Sequence, residues 1–305
     1  MTRISSAQIP AASVAHLAKA QQDVVEAARQ SSAQTKANDL KGYGREAQTL
    51  VSAERLVART RGFLITGREL QTRMQIQDVA LGRAGEVVGK LKEDLFQNVG
   101  LESGEGVRSQ LEETFAVLKD TMNTNLGGRY LFGGVVNDVP PVSAATLTQL
   151  ATDPLATSLA PAVDAQIMRV EEGRTVNAGL VADDVINLAM ASIKRLAEID
   201  EATPFSGPLT TTQKAAIQAE LGTLSDAFDE ILACQAENGR MLKEVDSAAT
   251  RQNSQMEALE GAIGGIVNVD LAEVAVRLNQ AQFAYQASAG VFNILRSMSL
   301  LTVLQ

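Results

Sequence analysis

A heptad repeat of unusual length constrains this chain more than any other feature. Ile217, Leu221, Leu224, Phe228, Ile231, Gln235, Asn238, Leu242, Val245, Ala249, Gln252, Met256, Leu259, Ile263 and Ile266 follow alternating steps of four and three. That spacing holds one stripe of an α-helix on a seam, and predicts a long helix packed along another. Thr210 and Gln213 stand ahead of it at the spacing of a capping box. The polar entries Gln235, Asn238 and Gln252 weaken the seam locally and read as register-setting or kink positions, not ligands.

A second seam runs through Leu50, Ala53, Val57, Thr60 and Leu64, slips one position near Gly67, and continues as Leu70, Met74, Gln77, Leu81, Ala84, Val88, Leu91 and Leu95. A third helix is expected from Val107, Leu111, Phe115, Leu118 and Met122, after the turn at Ser103–Gly106. The ends are helical as well. Leu17, Ala20, Val24, Ala27 and Ser31 make a stripe of mostly small residues behind Pro10. Asp270 and Glu273, at N-cap and N3 spacing, open a stripe through Val274, Leu278, Ala281, Tyr285, Ser288, Phe292, Leu295 and Met298.

The middle differs. Val135 to about Val181 holds Pro140, Pro141, Pro154 and Pro161, glycines at 173 and 179, and a β-leaning run at Gln166–Val170. The fold class read from this plan is mainly α: an elongated antiparallel helical bundle or coiled coil with paired terminal helices and a small β-containing insertion. The expected divisions are 1–40 with 263–305, 41–134 with 181–262, and 135–180.

Chemistry is sparse. Aromatic residues make up 4% of the chain and there is no Trp, which suits close helix packing better than a thick aromatic core. Lys and Arg number 27 against 36 Asp and Glu, a formal charge of −9, so a phosphate backbone is an unfavourable partner. The one histidine, His16, excludes paired-histidine zinc motifs and makes His-dependent triads implausible. Gly42, Gly44 and Ala47 match a loose GxGxxA, but polar, loop-like residues precede them where a dinucleotide site needs a strand. The pair Asp183–Asp184 reads as dipole support at a helix start. Cys234, the sole cysteine, has no disulfide partner and reads as a small apolar residue. The N-terminus shows no apolar h-region, so no cleaved secretory signal is expected, and no apolar run is long enough to span a membrane. The expectation is a chain with no catalytic, cofactor-binding or metal-ligating residues, and not an enzyme.

Three segments resemble one family. The opening Met1-Thr-Arg-Ile-Ser-Ser is similar to the Met-Arg-Ile-Ser start of hook-associated protein 3, the hook–filament junction family of the flagellin superfamily. Gly128-Arg129-Tyr130-Leu131-Phe132-Gly133 resembles that family's Gly-Arg-Tyr-Leu/Ile-Phe-x-Gly motif. The end, from Val267 through Gln280–Ala287 to Leu304, is similar to the terminal helix that flagellins and junction proteins share. One departure is Thr35–Arg45, where many relatives carry Ser-Gly-x-Arg followed by Asp-Asp-Pro.

The resemblance implies a structural subunit of the external flagellum, exported without a cleaved signal through the flagellar type III apparatus. It implies as partners copies of the chain itself, flagellin, a hook-associated protein 1-type adaptor, and an export chaperone. It does not imply nucleic acid or membrane. The terminal helices would form an inner polymerisation domain, and the expected polymer interface is Leu17, Val24, Val267, Leu271, Val274, Leu278, Tyr285, Phe292, Leu295, Met298, Leu301 and Leu304. Filament flagellin is the nearest alternative. An intracellular coiled-coil scaffold is the alternative of a different class.

Overall fold

The computed structural model describes residues 8–160 and 164–303; at 8–11, 295, 296 and 298–303 it describes the backbone alone. Eight α-helices are present among them: α1 (Gln8–Ala33), α2 (Ala47–Leu101), α3 (Val107–Met122), α4 (Leu147–Thr152), α5 (Leu155–Ser158), α6 (Ala182–Ala202), α7 (Thr211–Val267) and α8 (Leu271–Val303). Two antiparallel hairpins complete the fold, β1 (Asn125–Leu126) with β2 (Arg129–Tyr130), and β3 (Ile167–Glu171) with β4 (Arg174–Asn177). The mainly α class with small β elements is the one the sequence predicts. The chain divides into two units, 1–59 with 255–305, and 60–254.

In the second unit, α2 and α7 supply the frame. The α7 capping box forms in both directions: the Gln213 backbone N–H donates to Thr210 Oγ1 at 3.2 Å, and the Thr210 N–H donates to Gln213 Oε1 at 3.0 Å. On α2 the predicted seam is buried from Thr60 through Leu95. On α7 the predicted seam is only half right. Ile217, Leu224, Ile231, Asn238, Val245 and Gln252 are buried, but Leu221, Phe228, Leu242 and Ala249 are half-buried. The intervening buried positions lie one residue earlier, at Glu220, Ala227, Met241 and Ala248.

Ala227 and Ala248 sit on this turned face, buried in the two apolar clusters. Glu220 is drawn inward by Arg195 of α6, whose Nε and Nη2 donate to its two carboxylate oxygens at 2.6 and 2.7 Å. Glycines on α2 make room for the half-buried flank: a Cβ added at Gly85 or Gly89 would meet the Phe228 ring at 3.9 and 3.3 Å.

The short elements are built into this unit. Leu147, Leu150, Ala151 and Leu159 join the core of α2, α3, α6 and α7, while Val170, Val176 and Ala178 pack with Leu70, Met74, Met241 and Val245. Lys194 of α6 donates from Nζ to the carbonyls of Leu150, Ala151 and Asp153, satisfying the C-terminal end of α4 with a cation. Asp183 and Asp184 stand in the first turn of α6, as expected for dipole support. Gly42 and Gly44 of the GxGxxA segment lie in a 3-10 turn at Leu40–Glu46, Ala47 opens α2, and no strand precedes them among the described residues.

Candidate assembly interface

The first unit is poor in core. Its buried apolar side chains, among the described residues, are Ala20, Ala27, Leu50, Val274 and Ala281. Three of the five are alanines, which bury little area. The unit is organised by two helix breaks that meet, after α1 and between α7 and α8. Gln34 ends α1 with a φ of 57°. The Lys36 N–H then donates to the Val267 carbonyl at 2.8 Å, and the Val269 N–H to the Gln34 carbonyl at 3.2 Å. Lys36 Nζ reaches the Gly265 carbonyl at 2.9 Å, at the end of α7. Arg29 ties the turn to α1, donating to Asn38 Oδ1 at 2.8 Å and to the Lys36 carbonyl at 2.9 Å. Its ion pair with Glu26 holds that exposed carboxyl below the usual range.

From this turn α1 and α8 run antiparallel. Asp270 caps α8 by accepting the Ala272 N–H at 2.8 Å; Glu273 does not close a capping box but pairs with Arg277 one turn on. Arg277 also reaches Gln30 of α1 at 3.4 Å. A groove of about 500 Å³ between the helices is lined by Asp23, Glu26, Ala27, Arg277, Gln280 and Ala281 among others. Farther along, exposed His16 and half-buried Ser13 flank Ala287, Ser288 and Val291.

The predicted interface residues divide accordingly. Leu17, Val24 and Leu278 are half-buried and Val274 is buried, on the faces that α1 and α8 turn to each other. Phe292 is half-buried, Val267 is half-buried at the turn, and Leu271 and Tyr285 are exposed. The side chains of Leu295, Met298 and Leu301, and all of Leu304, lie outside the described residues.

A second stripe on α8 is diluted in the sequence by Gln280, Ala287 and Gly290. Val276, Gln280, Phe283, Ala287, Gly290 and Ile294 repeat at steps of four and three, two positions out of phase with the first stripe. Val276, Phe283 and Ile294 are 56%, 74% and 61% exposed, and Val291 beside them is 53% exposed. Helix α8 is therefore apolar on both sides. A helix of that kind is normally enclosed by protein or lipid, and no described helix is long and apolar enough to cross a membrane.

The Gly128–Gly133 segment lies in the other unit and is structural in its contacts. Gly127 and Gly128, at φ 62° and 86°, form the two-residue turn between β1 and β2, which demands left-handed backbone at both positions. Arg129 is exposed and Tyr130 half-buried, while Leu131 and Phe132 are buried. The Leu131 carbonyl accepts from Gln77 Nε2 at 2.9 Å and from Arg73 Nη2 at 3.2 Å, and the Phe132 carbonyl accepts the Ala182 N–H at 2.9 Å. Gly133 is required by close approach: a Cβ there would lie 2.8 Å from the Val136 carbonyl oxygen. Among the described residues no cluster of three His, Cys, Asp or Glu side chains is placed to hold a metal ion.

Residues 221–304 match the family model of the bacterial flagellin C-terminal helical region. No curated protein matches the chain in sequence. A protein of Vibrio parahaemolyticus described as a flagellar hook-associated protein superposes with a TM-score of 0.60 at 14% identity, over 73% of this chain and 97% of its own. FlgL of Bacillus cereus superposes with a TM-score of 0.50 at 13% identity, over 65% of this chain and 98% of its own. The C-terminal part of the chain, α8 included, is thus similar to the C-terminal helical region of bacterial flagellins, on a fold shared with these two solved structures.

Proposed function

We propose that this chain is a structural subunit of the bacterial flagellum, joining a hook-side adaptor to the filament and polymerising through its terminal helix pair. The observation that carries the reading is the open second stripe of α8, in a unit with too little core of its own. Fully burying a Val, Ile or Phe side chain contributes about 1.5–3 kcal/mol, so Val276, Phe283, Val291 and Ile294 gain most when adjacent copies cover them together. Contacts of this kind between different faces, repeated by a screw operation, generate an open tube. The flagellin-type match includes this helix and supports the same reading. Export through the flagellar type III apparatus, with a chaperone on the C-terminal stripe, belongs to the proposal, as do flagellin and a hook-associated protein 1-type adaptor as neighbours.

The test is genetic and biochemical. Deleting the gene is expected to leave hooks without filaments and flagellin lost to the medium. Sheared flagella are expected to hold the chain as a short layer. Intact filaments on the deletion strain reject the junction role, and abundant copies along the whole filament assign the chain to the filament instead.

A further inference from the structure

The core of residues 60–254 is interrupted. One apolar cluster includes Leu81 of α2 and Ile231 of α7 and extends into α3, α4 and α6. The other joins Leu70, Met74, Met241 and Val245 to Val170 and Val176 of the β3–β4 hairpin. Between the two, along both long helices, stand Gln77 and Asn238, each fully buried. Asn238 Nδ2 donates to the Met74 carbonyl at 2.9 Å, and Gln77 Nε2 to the Leu131 carbonyl at 2.9 Å. The other ends of both amides, Asn238 Oδ1 and Gln77 Oε1, find no donor among the protein's groups. The backbone at Gly179 closes on the Gln77 amide so tightly that a Cβ there would come within 2.4 Å of Nε2. Leu180 is a partly buried apolar side chain that packs against both clusters.

A buried acceptor without a donor carries its full desolvation cost, and that cost is relieved as soon as water reaches it. Opening the hairpin-side cluster exposes both oxygens while the larger cluster stays closed. The amide layer therefore favours that partial opening over what a continuous apolar core would allow. We propose that Gln77 and Asn238 form a parting plane, along which the β3–β4 hairpin and the α7 segment around Met241–Ala248 open and reclose independently of the larger helical core. The bond from Asn238 to the Met74 carbonyl fixes the register on reclosing, as a lone buried Asn does in a coiled-coil seam.

Native-state hydrogen exchange on the full chain, across low denaturant concentrations, tests this. Amides of 168–177 and 241–248 are expected to exchange through a smaller opening, with shallow denaturant dependence. Their protection is expected to be at least roughly tenfold below that of amides in 185–196 and 217–231. Asn238→Leu removes one orphaned oxygen and joins the clusters. It is expected to raise protection of the first set about tenfold while leaving the second unchanged. Gln77→Met is the second variant, should Asn238→Leu alter helicity. Exchange of both sets through one global opening overturns the proposal, as does unchanged or lower protection of the first set in both variants.

Discussion

Val274 and Phe283 lie nine positions apart on α8 and face opposite ways: Val274 is 2% exposed against α1, Phe283 is 74% exposed. At 3.6 residues per turn, nine positions is about half a turn out of phase. Under the proposed function, the two residues separate closure of the helix pair from contact between copies. Phe283→Asp is expected to abolish polymerisation, measured by sedimentation, and to leave helicity and the melting of the isolated chain unchanged. Val274→Asp is expected to loosen the α1–α8 pair itself, seen as lost helicity and faster proteolysis of the terminal segments. Equal behaviour of the two variants would remove the outer stripe as the contact surface.

Two glycines, one in α7 and one in the loop after β2, separate conformational cost from close approach. A Cβ at Gly222 in α7 meets no atom within 4 Å, and Gly costs a helix interior about 1 kcal/mol relative to Ala. Gly222→Ala is expected to raise unfolding stability by about 0.5–1 kcal/mol. Gly133→Ala drives a Cβ to 2.8 Å from a carbonyl oxygen and 2.9 Å from the Asn137 Cα, and is expected to cost about 1–3 kcal/mol. Chemical denaturation midpoints check both, and a stabilised Gly133→Ala would show that the loop is not held so closely.

Burial raises the Glu230 carboxyl above its ordinary value, aided by the nearby Asp184 and Asp183 carboxylates. The folded chain thus holds this proton more tightly than the unfolded chain, and stability falls as pH rises through the interval between the two values. The penalty is complete above the folded value. Glu230→Gln is expected to stabilise the protein at pH 7, with the gain fading as the pH falls through that interval and absent below about 4. Urea midpoints of both proteins between pH 3.5 and 7.5, on this scale, would show it; a gain independent of pH would assign the effect to packing instead.

Burial, reinforced by Glu230, Asp184 and Glu237, pushes the Cys234 thiol up to about 11 from an ordinary 9.0. The thiolate is the reactive species. Alkylation of the folded protein at pH 8 is expected to run about 100-fold slower than that of an unhindered thiol. Urea is expected to restore the ordinary rate. Rapid labelling without denaturant would place the thiol in a different environment.

Local signals were the readable part of this sequence. The Thr210–Gln213 capping box, the α3 start after Gly106 (φ 85°) and the β3 strand depend on residues within a few positions of each other. Along the long α7 seam, side-chain size favours Leu221, Phe228 and Leu242. The structure centres the face on Glu220, Ala227 and Met241 instead. Nothing within α7 announces that Glu220 turns inward, because its partner Arg195 comes from α6, 25 positions earlier. At the candidate interface the inner stripe was legible through Val274 and Leu278. The outer stripe was hidden by Gln280, Ala287 and Gly290, which dilute its apolar signal until three-dimensional exposure marks Phe283.

The hinge-like meeting of residues 34–36 with 267–269 is written in main-chain bonds, from Lys36 N–H to the Val267 carbonyl and from Val269 N–H to the Gln34 carbonyl. Peptide groups are the same in every residue but proline, so this clasp is largely indifferent to the amino acids that form it. The partnering of the two chain ends can thereby outlast changes of side chain at Thr35, Asn268 and Val269 over evolutionary time.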